Sequence, residues 1–268
     1  MYDIKSSVYL AAARTYLRNI RSRKFEPEIL FLKNILSPGE NCLHIGASDA
    51  RHSYVMSGLI GGGHIYAFEP SSYSYHHLKL MVKLHRLKNI STYKYAVSDS
   101  EGTVTLITPE KSTGHAGRSF AYITQDKSDC ASRKDIKSYK TKKEEAKSVS
   151  IDRFVSKHSI SKIDFIRCDT EGSEMLILNG GQETINKFKP NLLVEIHSHA
   201  LKDIFNCSAK EVAKFLFDLG YVMFREDFGK ITKAKSVNEK ETWKDYFFIH
   251  PKRTKNLPEG PFRTLMNG

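Results

Sequence analysis

The stretch that most constrains this chain runs from Asn41 to Pro70 and reads NCLHIGASDARHSYVMSGLIGGGHIYAFEP. A short apolar run, Cys42, Leu43 and Ile45, meets a turn of small residues, Gly46, Ala47 and Ser48. A helix-compatible segment follows, and a second apolar run, Ile65 to Phe68, ends on the acid Glu69. Strand, tight turn, helix, strand and acid is the order in which a parallel α/β sheet builds a nucleoside site at the carboxyl ends of its strands. Small residues let a ligand approach the backbone. A carboxylate at the end of the second strand can accept from both ribose hydroxyls. The turn carries no G-x-G-x-x-G, so the pyrophosphate cradle of a dinucleotide site is missing. A nucleoside without a diphosphate fits better.

Further strands and helices alternate around this unit. Apolar runs predict strands over Ser91 to Val97, Asp164 to Cys168, Leu192 to Ile196, Tyr221 to Arg225 and Asp245 to His250. Thr103 to Thr108 alternates apolar residues with threonines and reads as a strand paired back as a hairpin. Helical spacing runs from about Ser6 to Arg23, with Ile4, Val8, Ala12, Tyr16 and Ile20 on one face and Arg14, Arg18 and Arg21 on another. Such a helix packs on a domain edge or lies on a membrane surface. Helices are also expected from Pro27, over Ser53 to Leu59, Ser74 to Leu87 and Glu171 to Leu178, and over Ser208 to Leu219 behind a capping box of Ser208 and Glu211. The sum is an α/β fold with a mostly parallel sheet, helices on both faces and an antiparallel pair at one edge. Three parts are expected: N-terminal helices over 1–40, a main domain over 41–250 and a basic, extended tail over 251–268. Residues 109–147 are polar and without rhythm, and read as an insertion over the site.

The 268 residues suit one large domain. No apolar run reaches the length of a membrane span, and the N-terminus lacks the layout of a signal peptide. Four scattered cysteines, Cys42, Cys130, Cys168 and Cys207, form no C-x-x-C pair and read as free thiols of a reducing, cytoplasmic environment. The net charge of +12 leaves nucleic acid, an anionic membrane or an acidic substrate open as partners. It is spread over several segments, which points to a generally basic surface.

In a parallel sheet the strand ends share one rim, and three residue groups land there. The first is the Gly46-Ala47-Ser48 turn with Glu69. The second is Asp169-Thr170-Glu171-Gly172-Ser173-Glu174, where acids beside a helix start can hold an amine, a hydroxyl or a cation, or cap the helix. The third is Glu195-Ile196-His197-Ser198-His199, whose alternation puts Glu195, His197 and His199 on one side if the strand continues. A histidine there is a natural general base. Asp169, Glu171, Glu195 and His197 can also form a hard divalent site. Such clusters equally bind hydroxyls and amines, and no metal is assigned.

Together these segments resemble a known family. HIGASDA, YAFEPS, AVSDSEG, SIDRF, IDFIRCDTEGSEMLILNGG and PNLLVEIH occur in the order of the FkbM-type S-adenosylmethionine-dependent methyltransferases, from about Leu43 to His199. The resemblance implies a Rossmann-like class I methyltransferase fold, a seven-stranded sheet with its last strand antiparallel. It implies S-adenosylmethionine as cofactor and oxygen on a sugar, glycan or secondary metabolite as acceptor. Carried over, it assigns His44, Gly46, Ala47 and Ser48 to the methionine side, Glu69 and Pro70 to the ribose, and Ala96, Ser98 and Asp99 to the adenine edge. Asp169, Glu171 and His197 then face the transferring methyl, with His197 as general base. Glu195 and His199, with Arg118 and Ser119 from the insertion, are the acceptor contacts. Family members usually carry an acid where His44 stands and often glycine where Ala50 stands. RNA methylation and an inactive cofactor-fold module are the alternatives.

Overall fold

The computed structural model describes residues 4–21, 25–110, 121–124 and 140–267. Two helices lead, α1 (Ile4–Arg21) and α2 (Pro27–Phe31). Then come β1 (Asn41–Ile45), α3 (Arg51–Ile60), β2 (His64–Phe68), α4 (Ser72–Leu84) and β3 (Ile90–Tyr93). Four further strands and a helix are β4 (Ala96–Val97), β5 (Gly102–Glu110), β6 (Tyr122–Thr124), β7 (Lys140–Val149) and α5 (Ile151–Lys157). The next stretch holds β8 (Phe165–Asp169), α6 (Glu174–Asn179), α7 (Gln182–Phe188), β9 (Asn191–Ile196), α8 (Ser198–Phe205) and α9 (Ala209–Asp218). The last strands are β10 (Val222–Asp227), β11 (Lys230–Ala234) and β12 (Lys244–Ile249), followed by α10 (Pro261–Asn267).

The main sheet runs β11-β10-β12-β9-β8-β1-β2-β3. β1, β2, β3, β8 and β9 are parallel neighbours, while β12 lies antiparallel between β9 and β10. This is the Rossmann-like α/β architecture, with eight strands where seven were expected. The additional strand is β11, which folds back on β10 through Phe228 and Gly229, both at positive φ, and becomes the antiparallel edge. The polar composition of KITKA hid it: only Ile231 of this strand is buried.

Period-two alternation gives the sheet two apolar faces. Leu43, Ile45, Ile166, Cys168, Leu192 and Val194 meet α5, α6, α7 and α9. Cys42, Phe165, Leu193 and Phe247 meet α2, α3, α4 and α10. The region beyond Pro251 is therefore helical rather than extended: a 3-10 turn over Pro251–Asn256 precedes α10, whose Phe262 is fully buried.

α1 packs on α4 through Val8, Ala12, Thr15 and Asn19. Ile20, expected on that face, is 44% exposed. Steps of four overshoot a 3.6-residue turn by about 40° each, so a strict every-fourth series spirals off the contact line.

The segment predicted as one strand over Ser91 to Val97 divides after Tyr93. β3 ends the main sheet and β4 opens a second one, ordered β4-β7-β5-β6. Part of the polar insertion is thus a strand, because Lys140 to Lys147 extends β7 along β5. Glu144 of β7 moors this sheet beside the rim of the main one. It accepts from the Ser72 backbone N–H at 3.1 Å, from the Ser72 hydroxyl and from Lys94 Nζ at 3.2 Å. These bonds outweigh partial burial and hold its carboxyl below the usual range.

Candidate active site

At the carboxyl rim of β1, β2, β8 and β9 lies a cavity of about 500 Å³. Its first wall is the turn after β1. Gly46 has φ +79°, and a Cβ there would land on the Asp169 carbonyl oxygen. Glycine is therefore required both by the dihedral and by the close approach of the β1 and β8 ends. The Gly46 and Ala47 N–H groups donate to the Phe68 carbonyl at 3.0 and 2.9 Å, fastening the turn to β2. Ser48 and Ala50 also sit at positive φ, 38° and 63°, conformations that L-residues seldom adopt.

Glu69 closes this wall. Its Oε2 accepts from Ser48 N–H at 3.1 Å and its Oε1 from Ser71 N–H at 2.9 Å. A carboxylate has about four lone-pair positions, so each oxygen keeps acceptor capacity. Burial pushes its pKa up to about 7, although the two N–H bonds pull the other way. The facing charges of Asp169 and Glu144 add to the rise.

The second wall is a buried charge cluster in which the expected acids Asp169 and Glu195 meet Arg167 and Asp245, two residues not read from the sequence. Arg167, on β8, is 1% exposed. Its guanidinium donates to Asp245 Oδ1 at 2.7 Å, Asp169 Oδ2 at 3.0 Å and Glu195 Oε2 at 3.4 Å. Register explains the meeting: Asp169 pairs with Glu195, Glu195 pairs with Asp245, and Arg167 lies two residues before Asp169 on the same face. Burial works against the guanidinium charge, yet the three carboxylates hold its pKa above the ordinary value. Burial in turn raises Asp169 to about 7 and Asp245 to about 6, with Arg167 tempering both. Asp169 keeps 34% of its side chain open. The visible signal was an arginine inside an otherwise apolar strand, in phase with the acid two residues on.

The D-x-E-G-x-E segment folds back on itself. Glu171 Oε2 lies 3.2 Å from His197 Nδ1. Gly172, at φ +100°, passes so close to α8 that a Cβ would press on Ala200 at 2.8 Å. Glu174 is fully buried and accepts from Gly172 N–H at 3.2 Å, and burial holds its carboxyl well above the usual range. It shapes the loop and does not line the cavity. His197 is 5% exposed. Its Nε2 lies 3.4 Å from Glu195 Oε1 but makes no hydrogen bond.

Of the residues singled out from sequence, the cavity brings together His44, Gly46, Ala47, Ser48, Glu69, Asp169, Glu171, Glu195 and His197. His199 is a correction. The chain leaves β9 at His197 and starts α8, so the alternation stops and His199 points outward, exposed. Ala96, Ser98 and Asp99 do not line the cavity either. Ala96 pairs with β7, and the buried Ser98 donates to Asp99 at 3.2 Å. Pro70 is half-buried outside the lining. Arg118 and Ser119 lie outside the described residues, though nearby Ala121 reaches the cavity. Cys130 also lies outside them, while Cys42 and Cys168 are buried free thiols and Cys207 is a half-buried one.

His44 is wholly buried, its Nδ1 2.6 Å from Ser53 Oγ and its ring edge-on to His52. Burial holds its pKa well below the ordinary value, so it is neutral and does not replace an acid. Residues that sequence reasoning did not find add to the lining. Glu26, Glu28 and Asp49 come from the first part of the chain, and Glu226, Trp243 and Asp245 from the last. Against all these carboxylates stand Arg51, Arg167 and Lys244. Each is already committed: Arg51 to Glu26 and Asp49, Lys244 to the Glu226 carbonyl and Asp227, and Arg167 as above. The cavity is therefore acidic in a chain of net charge +12.

Residues 44–223 match the family model described as the Methyltransferase FkbM domain. No curated protein matches the chain. Among solved structures, an FkbM methyltransferase from Methylobacillus flagellatus KT is similar over 84% of this chain and 50% of that one, at 15% identity and TM-score 0.47. The present chain thus spans about half the length of that protein. A putative rRNA methylase from Clostridium thermocellum is similar at 8% identity over 87% and 95% of the two chains, TM-score 0.48. Aeropyrum pernix fibrillarin with natively bound S-adenosyl-L-methionine is similar at 14% identity over 83% and 73%, TM-score 0.44.

Proposed function

The chain belongs to the FkbM methyltransferase family, which depends on S-adenosylmethionine, and from that premise we propose that it methylates a hydroxyl oxygen of a sugar, glycan or secondary-metabolite acceptor. One observation carries the proposal. A single cavity joins the Gly46–Ser48 turn and Glu69 to Asp169, Glu171 and His197. The donor set fits the cofactor. The small-residue turn admits a ligand against backbone, Glu69 keeps lone pairs for the ribose diol, and an acidic cavity favours a ligand carrying an ammonium and a sulfonium. About 500 Å³ lies within the usual range for a small-molecule site.

When bound, the cofactor supplies an electrophilic methyl whose departure leaves a neutral thioether. The protein's share is orientation and proton removal. Glu171 Oε2 lies 3.2 Å from His197 Nδ1, which favours the tautomer with the proton on Nδ1 and the lone pair on Nε2, beside Glu195 Oε1 at the cavity wall. That nitrogen takes the hydroxyl proton as the C–O bond forms. Asp169, fixed at one oxygen by Arg167, holds the acceptor hydroxyl through the other. Trp243 is 55% exposed at the cavity and offers a flat face to a sugar ring.

A base of this kind contributes about 10²–10⁴-fold. His197→Ala should lower single-turnover transfer from labelled S-adenosylmethionine by that order while S-adenosylhomocysteine still binds. Turnover within a few-fold of wild type removes the base assignment. Acceptor panels of neutral glycosides, aminoglycosides and RNA fragments address the substrate. The acidic lining works against a phosphate-bearing acceptor, and methylation of RNA alone would overturn the hydroxyl-metabolite proposal.

A further inference from the structure

We infer that Asp169, Glu195 and His197 form a site for one divalent cation, with Mn²⁺ the best-matched probe. One donor atom from each of the three lies within 4.8 Å of the other two. Each carboxylate is divided in use. Asp169 Oδ2 and Glu195 Oε2 face the Arg167 guanidinium at 3.0 and 3.4 Å. Glu195 Oε1 faces His197 Nε2 at 3.4 Å. Arg167 thus orients the two acids, which also face one another, so that their carboxyl groups and His197 converge on one point.

His197 supplies the independent observation. It is 5% exposed, and its Nε2 is a buried polar atom without a hydrogen bond, aimed at the acids. Its other nitrogen lies 3.2 Å from Glu171 Oε2. A carboxylate holding the far N–H of an imidazole is the arrangement that turns its free lone pair toward a metal. In the tautomer with the proton on Nδ1, the Nε2 lone pair meets a carboxylate oxygen at 3.4 Å, a repulsive pairing that a cation between them would remove. One guanidinium serves Asp245, Asp169 and Glu195 together, so with all three ionised it balances only one of the charges.

Two carboxylate oxygens and one imidazole suit a fairly hard ion that tolerates nitrogen, for which Mn²⁺ is better matched than Mg²⁺ or Ca²⁺. Bond lengths of about 2.0–2.6 Å require the donors to close by about an ångström, within reach of side-chain rotation. The cavity leaves room for water or an acceptor oxygen at the remaining positions. Binding itself does not depend on the proposed acceptor, and only its consequence rests on the methyl-transfer reading. A bound ion would occupy the Nε2 lone pair and so displace it as base; Asp169, Glu195 and His197 would hold the ion, which would supply Lewis acidity toward an acceptor hydroxyl.

The test is Mn²⁺ titration of the full chain, followed by electron paramagnetic resonance and by quenching of Trp243, the chain's one tryptophan. One equivalent should bind at micromolar concentrations, and spin-echo modulation should show a directly bound imidazole nitrogen. Glu171→Gln should weaken binding about 10–100-fold, and Asp169→Asn or His197→Ala should weaken it at least as much. S-adenosylhomocysteine calorimetry on the same samples reports folding and the cofactor site separately. No Mn²⁺ binding up to about 1 mM, or binding without nitrogen coupling, overturns the inference and leaves His197 as a direct base. Mn²⁺ binding with the nitrogen signal but no cofactor binding would instead sink the methyltransferase reading and keep the metal site.

Discussion

At the scale of single residues, Gly46 and Glu69 carry the proposed cofactor half of the site, and Arg167 holds together the acids of the other half. Gly46→Ala combines a positive φ with a collision against the Asp169 carbonyl. It should abolish S-adenosylhomocysteine binding and lower the thermal midpoint by several degrees in a melting experiment. Glu69→Gln removes charge-assisted bonds worth roughly 1.5–3 kcal/mol, so calorimetry should show about 10–100-fold weaker binding. The pH dependence has a definite sign. The folded Glu69 holds its proton to about 7, above its ordinary 4.5. Its contribution to stability is therefore present in acid and lost as pH rises through about 7. With Glu69 as the proposed ribose acceptor, cofactor binding should strengthen across the same interval, between pH 6 and pH 8. Arg167→Met leaves three carboxylates buried without their partner and should cost about 3–5 kcal/mol in chemical denaturation. A loss under 1 kcal/mol would mean that the cluster relaxes into water.

At the scale of elements, Glu144 ties the second sheet to the start of α4 at the rim, beside the apolar packing of Val97 and Val149 on the main core. Glu144→Ala cuts β7 from the start of α4, next to Glu69. It should raise the KM for the cofactor several-fold while leaving the melting midpoint of the main sheet nearly unchanged. Elements with strong apolar pattern were legible in the sequence. β1 and β2 form on the two apolar runs that end at Ile45 and Phe68, and Ser208 and Glu211 form the reciprocal capping box in front of α9. Segments with mixed pattern were not. KTKKEEAK is polar because most of β7 faces solvent, and its strand character comes from pairing with β5. α7 follows the Gly180-Gly181 pair and α8 a strand end, positions that punctuation alone marks as loops. The residues at the very ends of β1, β2, β8 and β9 were readable because strand ends share a rim. Arg167, Asp245 and Trp243 were not, because their meeting depends on the order of β12, β9 and β8.

At the scale of the whole molecule, charge is segregated. The chain carries +12 overall, while its cavity is walled by carboxylates. If the basic surface bound RNA for catalysis, activity would fall steeply between 50 and 200 mM salt. With a neutral or cationic metabolite as acceptor, kcat/KM should change by less than about threefold over that range in a steady-state assay. No helix among the described residues is long and apolar enough to cross a membrane. The central claim is that the rim of β1, β2, β8 and β9 holds S-adenosylmethionine through the Gly46–Ser48 turn and Glu69. Calorimetry of S-adenosylhomocysteine at pH 8 against the wild-type chain and Glu69→Gln tests it most directly. One equivalent bound at micromolar concentrations, weakened about 10–100-fold by the substitution, is expected. Absence of binding at millimolar ligand, or equal affinity in both proteins, would contradict it.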